Sequence, residues 1–522
     1  MEKASTSIPQ QVAPSTSYVH TRTRVLAWGS LMGVIYAVYV IVFPLYPAIE
    51  RRAALLDLES LLQNGRRWFA PLYVVGLLLL FIAFWQMLRI VHELSKQEPE
   101  GAGRLRIWVL AIGVVCGIIL IGLYPITALD VALYVVRGRL WAVHGVNPLV
   151  ALPIDFPSEP YVAVAGEYAK QVSPYGPLWE LVVQIPLRLG MLSLVSGVIG
   201  MKVIALLSYA GMAILIGWQA RQDTSGQGFS AATALTFFAL NPLVLLEAMG
   251  NGHNDMLMLA LITLGLVLWQ RGRWAWAAAA LTAAALIKST GAVVLPLFWM
   301  AVVASASTWR KRVLVGLGAG VIIAGGILAA YRLMGPLPHI LDGTLHATLD
   351  RRGYVPSYAA RMLISVWYPT NVKMLLLPVQ ISNGLFALIY LCLLIQLVRR
   401  KLTLIAAGFA AMFALLFLET TFRIWYPIWL IPFAALGLTP SRAWRTLLFT
   451  LTAELSIVGY YIVWRWYLAK WTWGVNGPFK AYWNYWMVMT LLSVPWVFGI
   501  PLLAPWIAKK WPRGQLAVES NE

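Results

Sequence analysis

YPITALDVALYVVRGRLWAVHGVNPLVALPIDFPSEPYVAVAGEYAKQVSPYGPLWE, residues 124–180, is the longest polar-punctuated stretch in a chain otherwise made of long apolar runs. Read as a helix, residues 127–143 divide into two faces. Asp130, Tyr134, Arg137 and Trp141 recur at spacings of three or four and share one face. Leu129, Leu133, Val136, Leu140 and Val143 fall on the other. The spacing predicts an amphipathic helix lying in a membrane interface, apolar face down. It presents one carboxylate, Asp130, to the water side, which makes Asp130 the candidate chemical centre. The same position also suits a carboxylate that merely caps or solvates the helix start.

The surroundings of this stretch settle the broad class. Of 522 residues, 60% are hydrophobic and 12% charged, about half the charged share of a soluble domain. Apolar runs of roughly 17–25 residues recur throughout, so the chain reads as an all-α polytopic membrane protein with about 14 transmembrane helices. The 25 Trp and 22 Tyr suit aromatic belts at two interfaces. Cys116 and Cys392 both lie within apolar runs without a CxxC partner, so neither a disulfide framework nor a metal site is expected.

The net charge of +19 is carried by short basic clusters between apolar runs, the pattern of topology determinants rather than of a nucleic-acid surface. With Arg22 and Arg24 in the cytoplasm, Arg271 and Arg273, Arg310 to Arg312, Arg399 to Lys401, Arg442 and Arg445, and Lys509, Lys510 and Arg513 all fall on the same side. This predicts a multi-pass protein of the plasma membrane with both termini cytoplasmic. It comprises a disordered segment 1–23, one integral-membrane domain 24–508 and a tail 509–522. Two large loops, 125–176 and 335–373, then share the outer face. Residues 177–190 are short, hold Glu180, Pro186 and Arg188, and read as a re-entrant or interfacial segment.

Polar groups collect at the outer ends of the predicted spans. Beside Asp130, Tyr134, Arg137 and His144 stand Glu247, Asn251, His253, Asn254 and Asp255 in LLEAMGNGHNDML, Lys288 in ALIKST, and Glu419 and Arg423 in LETTFR. The second loop adds Asp342, His346, Asp350, Arg351 and Arg352. Polar side chains at membrane depth are costly and persist mostly where they pair or function. Together they point to one polar cavity on the outer face. NGHND is equally good turn and helix-capping chemistry, and Glu419 and Arg423 are spaced to pair with each other. Lys288 lies between two short apolar segments, 274–287 and 291–307, and must reach an acidic partner or a bound anion.

Other chemistries lack their motifs. There is no G-x-x-x-x-G-K-[ST] loop, no G-x-S-x-G elbow, no HExxH and no Asp-x-Asp pair for a metal-bound nucleotide sugar. A cavity with one carboxylate, several cations and an apolar rim suits a lipid-linked phosphate whose tail stays in the bilayer. A transporter or flippase for such a lipid would share the cavity. It would not need a carboxylate presented at the rim, and it often carries internal repeats.

Asp130, Tyr134, Arg137-Gly138, Gly145, Asn147-Pro148 and Ser173-Pro174-Tyr175-Gly176-Pro177-Leu178 resemble the first outer loop of bacterial polyprenol-phosphate-mannose-dependent mannosyltransferases, integral-membrane enzymes of the GT-C class. The likeness is greatest to the α-1,6-mannosyltransferases that extend lipomannan-type glycolipids. Asn241-Pro242-Leu243 with Glu247 and Gly252 to Asp255, then Lys288, then Trp425-Tyr426-Pro427 with Trp429, are similar to further motifs of that family, in the same order over about 120–440. Leu149 departs from the family's frequent N-P-Y, which bears on the acceptor. The resemblance implies a GT-C fold with an interfacial helix in the first large loop. It implies transfer of mannose from a polyprenyl-phosphate donor to a glycolipid or mannoside acceptor outside the cytoplasm. The transfer would be inverting and form an α-(1→6)-mannoside, with no cofactor. Another lipid-phospho-sugar would keep the same chemistry. Asp130 would be the base. Lys288, Arg423 and His253 would hold the donor phosphate, with no metal if these cations suffice. Tyr134, Arg137, Asn254, Asp255, Tyr175, Glu419 and Trp425 would bind substrate. Trp425, Tyr426 and Trp429 suit a lipid groove and equally an aromatic belt.

Overall fold

The computed structural model describes residues 16–48, 69–128, 130–219, 230–334, 355–368, 370–418, 422–458, 490 and 493–506. Among them there are helices and no strand. The helices are α1 (Thr16–Val42), α2 (Phe69–Gln97), α3 (Pro99–Ile121), α4 (Asp130–Ala142), α5 (Pro177–Arg188), α6 (Leu194–Gln219) and α7 (Ala231–Ala239). A π-helix, Val244–Gly250, follows. Then come α8 (Asp255–Gln270), α9 (Trp274–Ile287), α10 (Val294–Ser305), α11 (Trp309–Met334), α12 (Pro356–Trp367), α13 (Val372–Val398), α14 (Leu404–Leu418), α15 (Ile431–Leu436) and α16 (Pro440–Ile457). The helix Ser493–Trp506 is α17.

An all-α membrane architecture stands, with fewer membrane-length helices among the described residues than the roughly 14 spans expected. Six of the described helices, α1, α2, α3, α6, α11 and α13, are long and apolar enough to cross a bilayer, and α7 with the π-helix makes a seventh as one span bent by 55°. The other apolar helices are shorter, because each stops at a polar junction: α8 at the N-G-H-N-D turn, α9 at Lys288. Short helices that end at depth leave bare backbone, which is tolerated where protein or a cavity covers it. Most of the loop 335–373 lies outside the described residues. Its end forms the unforeseen helix α12.

The bent span is the centre of the molecule. Every residue from Ala232 to Met256 is buried, and α7 packs against α2, α3, α6 and α15. Asn241-Pro242 breaks it, since proline removes a backbone donor and clashes with the preceding turn. Asn241 covers the break by accepting from the Leu243 amide at 3.0 Å.

The predicted helix exists, and protein covers both of its faces. α4 begins at Asp130 rather than 127, and residues 131–140 are all buried. Its apolar side packs on α5 and α6, and its polar side finds partners inside the protein. The exposed apolar stripe belongs instead to α5, where Leu181, Ile185 and Leu189 stand outward at helical spacing while Trp179, Val183 and Leu187 face in. Periodicity located a two-faced helix without revealing that both faces were covered.

Basic side chains meet at the end of the bundle remote from Asp130. Arg106 donates to the Gly217 carbonyl at 2.9 Å, Arg271 to Gln219 at 3.3 Å, Arg400 to the Ala304 carbonyl at 2.9 Å, and Arg442 to the Gly437 carbonyl at 2.7 Å.

Candidate active site

Asp130 is fixed from the chain that precedes it. The last turn of α3 leaves carbonyls without intrahelical donors. The buried Lys202 of α6 supplies them, donating to the carbonyls of Leu120 and Ile121 at 3.3 and 3.4 Å and also to that of Leu123. Four residues on, the Thr127 hydroxyl donates to Glu247 at 2.7 Å and accepts from Asn251. Asn251 also donates to the other Glu247 oxygen at 3.0 Å. The π-helix thus holds the entry to α4 through Glu247. Such one-turn π segments are frequent at functional sites.

The stretch 251–255 then turns back on itself. Gly252 has φ +71°, in the left-handed region that favours glycine. The turn aims His253, Asn254 and Asp255 in different directions. His253 stacks on Trp425 at 3.9 Å and lies 3.5 Å from Glu247. The Asn254 side chain accepts from the Tyr134 hydroxyl at 3.3 Å. The fully buried Asp255 accepts from Lys288 at 2.8 and 2.9 Å and from the Trp429 indole at 2.6 Å.

The S-P-Y-G-P loop closes the site from the other side. The Gly176 amide donates to the Ile287 carbonyl at 3.0 Å. A Cβ on Gly176 would meet the Leu286 carbonyl oxygen at 2.0 Å, so only glycine allows the loop this close to the Lys288 junction. Tyr175 is thereby delivered to the start of α4, where its hydroxyl donates to Asp130 at 3.0 Å and its ring lies edge-on to Tyr134. The adjoining Ser173 donates to Glu180. Burial lifts the Glu180 carboxyl to about 7 against the opposing pull of Ser173 and Arg137.

Sequence reasoning brought together a set that the fold does assemble: Asp130, Tyr134, Tyr175, Asn254, Asp255 and Lys288, with Asp130 within electrostatic reach of Lys288. Lys288 has its acidic partner in Asp255. Arg137 is buried along the same face of α4, one turn beyond Tyr134. His253 and Trp425 form a stacked pair beside Glu247. Arg423 is exposed, and Glu419 lies outside the described residues. Thr127 was missed as a site element, and Glu247, Trp429, Ser173 and Glu180 were named without the contacts they make here. Glu247 and Trp429 carried a signal, a lone acid within an apolar run and a second tryptophan four residues after the first. Thr127 carried none.

The carboxylates differ in what they can still do. Asp255 is closed by three donors, and Glu247 by Thr127 and Asn251. Asp130 is half-buried and accepts one bond, on Oδ1; Oδ2 bonds to no described residue. Among these three, Asp130 is the one available to accept a proton.

Residues 28–304, just over half of the chain, match the family model described as alpha-(1->6)-mannopyranosyltransferase, N-terminal domain. The chain belongs to this mannopyranosyltransferase family. The matched region contains α4, the 251–255 turn and Lys288. Among individual relatives, the alpha-(1->6)-mannopyranosyltransferase A of Mycobacterium tuberculosis is 31% identical over 177 residues, 34% of this chain and 33% of that protein. The protein of the same name from Corynebacterium glutamicum is 27% identical over 172 residues, 33% of this chain and 34% of that protein. The similarity therefore spans about a third of the length of these curated relatives.

Proposed function

We propose that the protein is a membrane mannosyltransferase. It moves mannose from a polyprenyl-phosphate donor to a hydroxyl of a mannoside or glycolipid acceptor, forming an α-(1→6) linkage with inversion. The observation that carries this reading is Asp130: a half-buried carboxylate with a free oxygen, oriented by Tyr175, beside two closed carboxylates. Family membership supplies the sugar and linkage, and the apolar stripe on α5 suits substrates with lipid tails.

In the reaction, the acceptor oxygen attacks the anomeric carbon as its proton passes to Asp130. The bond from that carbon to the phosphate oxygen breaks, and its electron pair leaves with polyprenyl phosphate. Attack opposite the leaving group inverts the anomeric centre. A positioned base of this kind contributes about 10²–10⁴-fold. His253, buried and held by Trp425 and Glu247, would serve as a hydrogen-bond partner for substrate oxygens that reach it. Asn254 and Tyr134 orient sugar hydroxyls. Asp255, Lys288 and Trp429 hold the start of α8 against the end of α9. The basic end remote from Asp130 would face the cytoplasm by the positive-inside rule, which leaves the site on the outer side.

The test uses purified protein in vesicles with polyprenyl-phospho-mannose. Release of polyprenyl phosphate only when a mannoside acceptor is present, with an α-(1→6) product by NMR, is the expected result. Lipid redistribution without bond cleavage would instead make it a transporter. Turnover only with a different lipid-phospho-sugar would change the donor.

A further inference from the structure

Cations around the site are mostly engaged. Lys288 is closed by Asp255, Arg139 by Glu159 at 2.6 and 3.1 Å, and Lys202 by backbone carbonyls. Arg137 differs. It is 3% exposed, it donates one long bond of 3.4 Å to the Gln171 carbonyl, and its Nε has no acceptor. It forms no ion pair with a described carboxylate, although Asp130 and Glu180 lie within electrostatic reach. A buried guanidinium without a contacting anion is costly.

The orphaned donors are grouped. The Trp179 indole N–H and the Asn254 Nδ2 are also buried without acceptors. Both adjoin Tyr134, Trp179 through an edge-on ring contact at 4.9 Å and Asn254 through its hydrogen bond. Arg137 follows Tyr134 by one turn on the same face of α4. Three unused donors around one tyrosine describe a place that expects acceptor oxygens.

We propose that Arg137 receives the anionic phosphate of the lipid-linked donor, a role that rests on the transfer reaction described above. The spacing fits. In an inverting displacement, base and leaving phosphate lie on opposite sides of the anomeric carbon. A hydrogen bond, an attack distance of about 3 Å, the scissile linkage and a second hydrogen bond place the phosphate's cation roughly 10 Å from the base. Asp130 and Arg137 are seven residues apart on one helix face, about 10 Å along the axis. Lys288 and Arg423 are less suited, the first because Asp255 holds it and the second because it lies outside the buried donor group. With its carboxyl raised to about 7, Glu180 is about half ionised at pH 7 and balances the Arg137 charge only in part.

Thermal unfolding of the full-length protein in detergent, with farnesyl phosphate or farnesol as probe, tests this. Farnesyl phosphate raises the wild-type midpoint and farnesol does not. Arg137→Gln lowers the affinity for farnesyl phosphate about tenfold to a hundredfold and raises the donor KM alike, with the acceptor KM unchanged. Arg137→Lys, which keeps the charge and one donor point, loses about tenfold and serves as the deciding variant if the Gln protein does not fold. If wild type responds and both Arg137 variants respond equally, or if Arg423→Gln alone abolishes the response, Arg137 is not the phosphate's partner. If wild type ignores farnesyl phosphate, the lipid-phosphate reading itself fails.

Discussion

Removing Lys288 should destabilise the protein more than any exposed charge change, and the buried pair shows by how much. Asp255 has no exposure, and both its oxygens accept from Lys288, one of them also from Trp429. Lys288→Met keeps the length of the side chain and leaves a carboxylate inside the bundle with an indole as its only donor among these. Stranding a buried charge costs about 3–5 kcal/mol. Asp255→Asn is milder, because the Lys288 side chain retains 14% exposure and can turn its ammonium outward; about 1–3 kcal/mol is expected. The double variant leaves neutral groups and should be less destabilised than Lys288→Met alone, a coupling of at least about 2 kcal/mol. Reversible unfolding in mixed micelles, followed by tryptophan fluorescence, gives all three values. Strictly additive costs, or a Lys288→Met cost under about 1 kcal/mol, would refute the claim that this pair ties the start of α8 to the end of α9.

Three further outcomes follow from named contacts. Tyr175→Phe removes the donor on Asp130 and should lower kcat about tenfold while both KM values hold, measured on the same lipid-phospho-sugar. Glu159→Gln releases Arg139 and His144, which both bond to it at 2.6–3.1 Å, so limited proteolysis should cut within 143–176 while wild type resists. Glu180 has its carboxyl raised to about 7, so the folded state holds a proton that the unfolded chain releases. Its contribution is complete below the unfolded value near 4.5 and declines as pH rises to 7, by up to about 3 kcal/mol. Glu180→Gln should flatten that decline; an unchanged pH profile of stability would count against the buried acid.

The fold's outline and part of the site were legible because polar residues stand out in an apolar chain. Asp130, the turn at 251–255 and Lys288 announced themselves this way, and the need of Lys288 for an acid was readable from its setting. Which acid was not: Asp255 reaches it only because α8 and α9 pack together. The orientation of α4 was misjudged for a related reason. Periodicity separates two faces, yet only tertiary packing tells whether the polar face meets water or Asn254 and Gln171. Fewer of the described helices reach membrane length than hydropathy suggests, because several stop at polar junctions such as Lys288. Arg137 was placed at the site by its spacing. Its lack of an anion became visible only once Lys288 and Arg139 were seen to have theirs.

Single-turnover transfer by Asp130→Asn, with the folded state checked by wild-type-like unfolding, tests the account at its centre. A rate lower by about 10²–10⁴-fold with donor binding intact is the predicted result. A rate above a tenth of wild type would contradict the assignment of Asp130 as the base.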